Sequence, residues 1–300
     1  MSGSEWQATA QRIQDAYDIL ESENPMTVRQ LFYRLVSKGL ITNCQAHYSR
    51  VSRDCTKARK DGRIDWEWIV DRTRPTYSPS VWADLAGYGR TIKHSYRKDY
   101  WEDQPTYVEI WLEKDSVSGS IQETTNELGV TMRAARGFNS STRIREVAQH
   151  LATIQKPKYV YYLGDHDPSG KAMDDDQYKR VLTQAYDMLD SKRSEWGKSF
   201  YFARLAIFKE DITTYHLPPL KIKRDDDGKP TDSRSEKYLE EYGDVCVELD
   251  ALPPDELRHR VRDAVESHID MAKWNHALMI EKAELTSIND IVTQWQNVQS

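Results

Sequence analysis

Three carboxylates in this chain follow stretches that read as strands, and their spacing suits the binding of a hard cation. The run Val108-Glu109-Ile110-Trp111-Leu112 delivers Glu113 with Lys114 beside it. A later run, Tyr159-Val160-Tyr161-Tyr162-Leu163, delivers Gly164, Asp165, His166, Asp167, Pro168, Ser169 and Gly170. In an open parallel sheet, ligands bind beyond the carboxyl ends of the strands. Two aspartates one residue apart just past a strand aim their oxygens the same way, and a glutamate from another strand end faces them. Three oxygen donors with room for water suit Mg²⁺ and phosphate. Gly164 and Gly170 let the backbone come close to a phosphate, and Pro168 fixes the turn. His166, between the aspartates, points to the other side of an extended segment and reads as a supporting residue. Lys114 either neutralises a phosphate or pairs with Asp115. The run Asp174-Asp175-Asp176, about a turn into the next helix, favours that helix's N-terminus without any ligand.

Elements of matching length must hold these groups. Strands are expected at 107–112, 130–135 and 158–163, and helices at 114–128, 140–154 and 171–189. This alternation predicts an α/β fold with a parallel sheet and right-handed crossovers. Residues 200–207 and 244–249 read as further strands, 221–235 as a loop and 253–271 as a helix. Ahead of the sheet, 5–21 reads as an amphipathic helix closed by Asn24-Pro25. Thr27 caps a second helix over 28–38 that ends at Gly39, and a third over 45–60 ends at Asp61-Gly62. Residues 63–70 alternate as a strand or short ribbon does. Three helices and a ribbon outline a winged helix whose third helix enters the DNA groove. Arg50, Arg53, Lys57, Arg59 and Lys60 on that helix are the expected DNA contacts. Residues 78–100 read as a linking helix, with Gly87-Tyr88-Gly89-Arg90 as a turn. The expected division is a DNA-binding domain over 1–103 and a catalytic domain with C-terminal helices over 104–300.

Composition narrows the function classes. At 38% hydrophobic and 30% charged the chain is globular. No run approaches the ~18 apolar residues of a membrane span, and the opening residues lack the features of a signal peptide. Cys44, Cys55 and Cys246 fall far from metal-ribbon spacing, which fits a reducing cytoplasm. The net charge of −6 is unevenly spread: Met26 to Tyr100 holds 15 Lys and Arg against 7 Asp and Glu. A basic module on an acidic body predicts one surface made for phosphates.

Taken in order, these motifs resemble a family. Glu113-Lys114 after a strand, then Gly164-Asp165-His166-Asp167-Pro168-Ser169-Gly170 after a later one, looks like the Toprim domain of topoisomerases and primases. Gly137-Phe138-Asn139-Ser140-Ser141-Thr142-Arg143 resembles the loop between those motifs in type IIB topoisomerase A subunits and their meiotic double-strand-break relatives. Thr27-Val28-Arg29-Gln30-Leu31-Phe32-Tyr33 is similar to their nucleophile segment, an arginine, two residues, an aromatic and the tyrosine. Val247-Glu248-Leu249-Asp250-Ala251-Leu252 resembles their late Toprim strand. The matches span residues 27 to 252, and the chain looks closest to the compact A-like topoisomerases of mobile elements. The resemblance implies a winged helix bearing Tyr33 and a Toprim domain holding Mg²⁺ on Glu113, Asp165 and Asp167. It further implies double-stranded DNA as substrate, a homodimer, and a separate GHKL-type ATPase B subunit for any strand passage.

On a helical wheel Val28, Leu31, Phe32, Leu35 and Val36 form one stripe, and Tyr33 lies well away from its centre. Tyr33 therefore reads as a non-core position, with Arg29 at i−4 placed to hold a phosphate and favour the phenolate. Tyr48 is the alternative nucleophile. Three functions compete: transesterification by Tyr33, hydrolysis by metal-activated water at the same acids, and non-catalytic DNA binding.

Overall fold

The computed structural model describes residues 3–70, 79–134, 141–189 and 199–297. Its centre is a four-stranded, wholly parallel sheet of order β2-β1-β3-β4. The strands are β1 (Tyr107–Leu112), β2 (Thr131–Ala134), β3 (Lys158–Leu163) and β4 (Phe200–Ala206). The near-continuous apolar runs of β1 and β3 suit strands covered on both faces, and alternate side chains enter different cores. Trp111, Val160 and Tyr162 pack under α6 (Ser141–Thr153) and α7 (Pro168–Leu189) with Ile144, Leu151 and Val181. Val108, Ile110 and Leu112 face the other way, toward Ile121 of α5 (Ser118–Glu127) and Val261 of α10 (Pro254–Glu266).

Three helices precede the sheet: α1 (Gly3–Glu23), α2 (Val28–Ser37) and α3 (Gln45–Lys60). Thr27 closes a capping box with Gln30: its hydroxyl accepts from Gln30 N at 3.2 Å, while Thr27 N donates to Gln30 Oε1 at 2.8 Å. Gly39 and Gly62 take the positive φ that ends the second and third helices. Residues 63–70 do not form the expected ribbon. Ile64 and Ile69 are both buried five positions apart, which strand alternation does not allow, and only Ile69 bridges to Met26.

Other expectations are corrected by caps. The linking helix is confined to α4 (Leu85–Ser95), because the Asp84 carboxylate accepts from Gly87 N at 2.6 Å and starts it there. Gly87-Tyr88-Gly89-Arg90 is thus helical rather than a turn. Gly89 lies so close to Val292 that an added Cβ would sit 2.9 Å from its Cγ1. The helix expected over 253–271 is α10, which stops at Glu266. It is followed by α11 (Met271–Asn297), which the sequence did not offer and whose first amides donate to Asp270 Oδ1. The strand expected over 244–249 makes single bridges instead, Cys246 with Leu220 and Val247 with His166. Two short helices, α8 (Lys209–Thr214) and α9 (Ser235–Tyr242), complete the fold. Gly137-Phe138-Asn139-Ser140 and the Asp174–Asp176 side chains lie outside the described residues.

The helices before residue 103 do not stand apart from the sheet. Leu31, Val51 and Ile64 belong to the same buried cluster as Ile110, Leu163 and Val261. Gln30 Nε2 donates to Ser120 Oγ at 3.1 Å, and the Arg258 guanidinium gathers the carbonyls of Glu23, Pro25 and Ser120 at 3.1–3.4 Å.

Candidate active site

Strand register brings the carboxylates together. Leu112 pairs with Leu163, and Glu113 N continues the ladder by donating to Leu163 O at 2.9 Å. One step beyond, Asp165 N donates to Glu113 Oε2 at 2.7 Å. Asp167 Oδ1 accepts from Gly170 N at 2.6 Å, opening α7. Gly170 is required here, since a Cβ would collide with the Asp165 carbonyl and lie 3.0 Å from Glu113 Oε2. From behind, the Arg204 guanidinium of β4 donates to Gly164 O at 2.7 Å, Ala206 O at 2.9 Å and Gly170 O at 3.1 Å. The sheet edge and one arginine therefore fix the acidic loop.

Glu113, Asp165 and Asp167 line one cleft of about 400 Å³, with Lys114, Ser169, Lys221, Lys223 and Glu248 among its walls. Burial first, and then the charge of Asp165, push Glu113 up to about 7. Lys114 Nζ sits 2.5 Å from Asp165 Oδ2 and 3.6 Å from Glu248. Burial pulls the ammonium down, but Asp165 and Glu248 outweigh it and hold it charged. Burial likewise pushes Asp165 up against the pull of Lys114. We take the pair as ionised, because the ammonium touches one oxygen and Leu249 N donates to the other at 2.8 Å. Lys114 thus pairs with Asp165 rather than with Asp115.

Among the described residues no three His, Cys, Asp or Glu side chains already converge at metal-ligand spacing. The donor set nevertheless fits a hard cation: all oxygen, on one cleft, with Glu113 raised by burial and then by the charge of Asp165. Lys114 meets part of that demand. His166 faces away, buried against Tyr238 and Tyr242, and burial lowers it to about 4.

Glu248 and Asp250 join this network; the sequence marked their segment only as resembling a late Toprim strand and gave neither residue a role in the site. Glu248 accepts from Arg29, Nε at 2.8 Å and Nη2 at 2.6 Å. Burial raises its carboxyl, yet Lys114 and Arg29 overcome that and lower it. Asp250 is fully buried, accepts from Ser116 Oγ at 3.2 Å, and is pushed by burial up to about 6.

Tyr33 corrects the wheel. It is 4% exposed, because α1, α3 and the turn Leu249–Ala251 all pack on α2, burying more than its apolar stripe. Arg29 stands 5.8 Å over its ring. Burial raises the phenol, Glu248 adds to it, Arg29 opposes, and the result is about 12. Arg29 thus lowers the phenol while also pairing with Glu248, and burial together with Glu248 outweighs it. Tyr48, half-buried, lines a separate cleft of about 330 Å³ with Arg29, Asp115 and Ser116.

On α3, Val51, Cys55 and Ala58 face the core. Arg50, Arg53, Lys57 and Lys60 fall within about 80° on the opposite side, and all four are exposed. The first three border a groove between α1 and α3 with Arg12 and Arg63. Arg59 leaves this set: it stacks 4.3 Å over Trp66 and donates to Trp66 O at 2.6 Å and Ile69 O at 3.2 Å. No helix of the described residues is long and apolar enough to cross a membrane. Comparison of the chain with family models, with curated proteins and with solved structures returned no match.

Proposed function

We propose that this chain cleaves double-stranded DNA at a divalent-cation site made by Glu113, Asp165 and Asp167, with the basic face of α3 holding the duplex. On this reading the first three helices serve as a winged-helix module, and the sheet is a Toprim domain in an intracellular protein. The observation that carries it is the placement of all three carboxylates on one cleft at the carboxyl ends of β1 and β3. Mg²⁺ bound there would neutralise and orient the phosphate.

The nucleophile we assign is Tyr33. Its Oη forms a bond to phosphorus, the bond from phosphorus to a deoxyribose oxygen breaks, the phenol proton passes to solvent, and the sugar oxygen takes up a proton. Arg29 positions the phosphate once it is released from Glu248. One tyrosine cuts one strand, so a double-strand break needs a homodimer, and strand passage needs a separate ATPase chain. The burial of Tyr33 favours a second reading, in which water is the nucleophile and the tyrosine only packs. Denaturing-gel detection of a protein–DNA adduct in the presence of Mg²⁺ separates them. Under the first reading wild type forms an adduct, and Tyr33→Phe binds DNA but neither cuts nor forms one. Cleavage by Tyr33→Phe at the wild-type rate moves the assignment to hydrolysis.

A further inference from the structure

The wall of the cleft opposite the carboxylates is made by a segment the sequence offers only as a loop. Leu220 and Cys246 exchange two backbone hydrogen bonds of 2.7 Å, and Ile222 N donates to Asp244 Oδ1 at 2.9 Å. These contacts hold the segment extended, so its side chains alternate. Ile222 is buried against Tyr238 and Cys246, while Lys221 and Lys223 are exposed and both line the cleft. Neither lysine makes an ion pair among the described residues. Asp232, the carboxylate on this wall, is already neutralised by Arg234 at 2.7 Å.

Two helix N-termini reach the same space. Ser169 stands at the start of α7 and Ser235 is the first residue of α9, and both line the cleft. Ser235 is fully buried, and its hydroxyl has no hydrogen-bond partner among the described residues. A buried hydroxyl without a partner costs folding free energy, so its place on this cleft asks for a ligand atom.

We propose that this wall binds phosphate, with Lys221 and Lys223 as its charged contacts and Ser235 as a hydroxyl donor, so that the cleft takes a phosphate ester against a cation on the carboxylates. The inference rests on the cation reading given above. A bare anion would be repelled by Glu113, Asp165 and Asp167 across the cleft. Cation and phosphate therefore bind cooperatively, and by linkage each raises the affinity of the other by the same factor. A nucleic-acid strand and a free nucleoside triphosphate offer the same phosphate oxygens, so the ligand is defined here by that chemistry.

The test uses the full chain and two binding readouts. Anisotropy of a short fluorescein-labelled single-stranded oligodeoxynucleotide is measured with Ca²⁺ and with EDTA, and Mn²⁺ binding is measured calorimetrically without DNA. Lys221→Ala/Lys223→Ala should bind Mn²⁺ as wild type does and lose about tenfold in Ca²⁺-dependent strand affinity, with the double arginine variant restoring it. Ser235→Ala should weaken strand binding without lowering the Tm, whereas a purely structural hydroxyl would lower the Tm. Unchanged strand affinity in the double alanine variant overturns the phosphate wall. Absence of Mn²⁺ binding in wild type overturns the cation reading alone. The wall is then judged in EDTA, where loss of strand affinity in the lysine variant keeps it and no loss removes it. Displacement of the labelled strand by ATP assigns the free nucleotide as ligand, and displacement only by unlabelled strand assigns nucleic acid.

Discussion

At the scale of single residues, the acidic cleft is under electrostatic tension that pH can reveal. Glu113 has its folded-state value raised to about 7, so its favourable contribution is present at low pH and is lost as pH rises through 7. Wild type should lose on the order of 2 kcal/mol of unfolding free energy between about pH 5 and pH 8 from this group. Glu113→Gln should remove most of that slope, as urea unfolding at the two pH values will show. Equal slopes in both proteins would mean that Glu113 is not strained. Gly170→Ala tests the same loop sterically: its methyl group meets the Asp165 carbonyl and Glu113. It should cost about 1–3 kcal/mol and abolish cleavage while leaving DNA docking intact. Glu113 and the Asp165-Asp167 pair were legible because they follow largely apolar strand runs, broken in β1 only by Glu109. Arg204 was not, since a half-buried arginine in a strand gives no sign that its guanidinium collects carbonyls. Glu248 and Asp250 lay in a segment read as a strand, but it pairs only at single bridges, and nothing in its pattern shows that it turns back onto the cleft beside Arg29 and Lys114.

At the scale of elements, α3 was read with its boundaries intact, because Asp61-Gly62 supplies its stop. Its basic residues divide by face, and the division predicts different phenotypes. Charge reversal at Arg50, Arg53 and Lys57 should weaken duplex binding and lower the slope of log affinity against log salt by roughly one unit per lost contact. Arg59→Ala should leave that slope alone and lower stability by about 1–2 kcal/mol, because it unfastens the carbonyls of Trp66 and Ile69. Titrations at two salt concentrations with thermal melts check both. Tyr33 was misread at this same scale. A helical wheel records one apolar stripe and cannot see that three elements close around α2, one of them arriving from more than 200 residues downstream.

At the scale of the whole molecule, the α/β class and the parallel sheet were expected and are present. The strand order was not read from the sequence, and the first helices pack into one cluster with the sheet. Leu31, Val51 and Ile64 share their cluster with the sheet. A fragment of residues 1–103 would therefore expose surface that the full chain buries, and we expect it to melt without a cooperative transition while the full chain melts sharply. A sharp transition in the fragment would restore the two-domain picture. Among the described residues, most of the exposed large apolar side chains lie on or beside α4 and α11, including Val81, Trp82, Met271 and Met279. Such a surface suits the homodimer that a double-strand cut requires. Sedimentation should show a dimer in wild type and a shift toward monomer in Val81→Glu/Met279→Glu, and a wild-type monomer at all concentrations would remove the dimer from the proposal.

Lys114, bound to Asp165 and near Glu248, gives the cleft a tenant that no dialysis can take away. Proteins whose acids are balanced only by a diffusible ion come apart when that ion is stripped. Here one positive charge is tethered by the backbone at fixed local concentration, whatever the buffer holds. Chelation should accordingly leave the melting temperature almost unmoved in wild type. It should lower it in Lys114→Met, where Asp165 loses its ammonium partner and the carboxylates depend more on the solution for counter-charge.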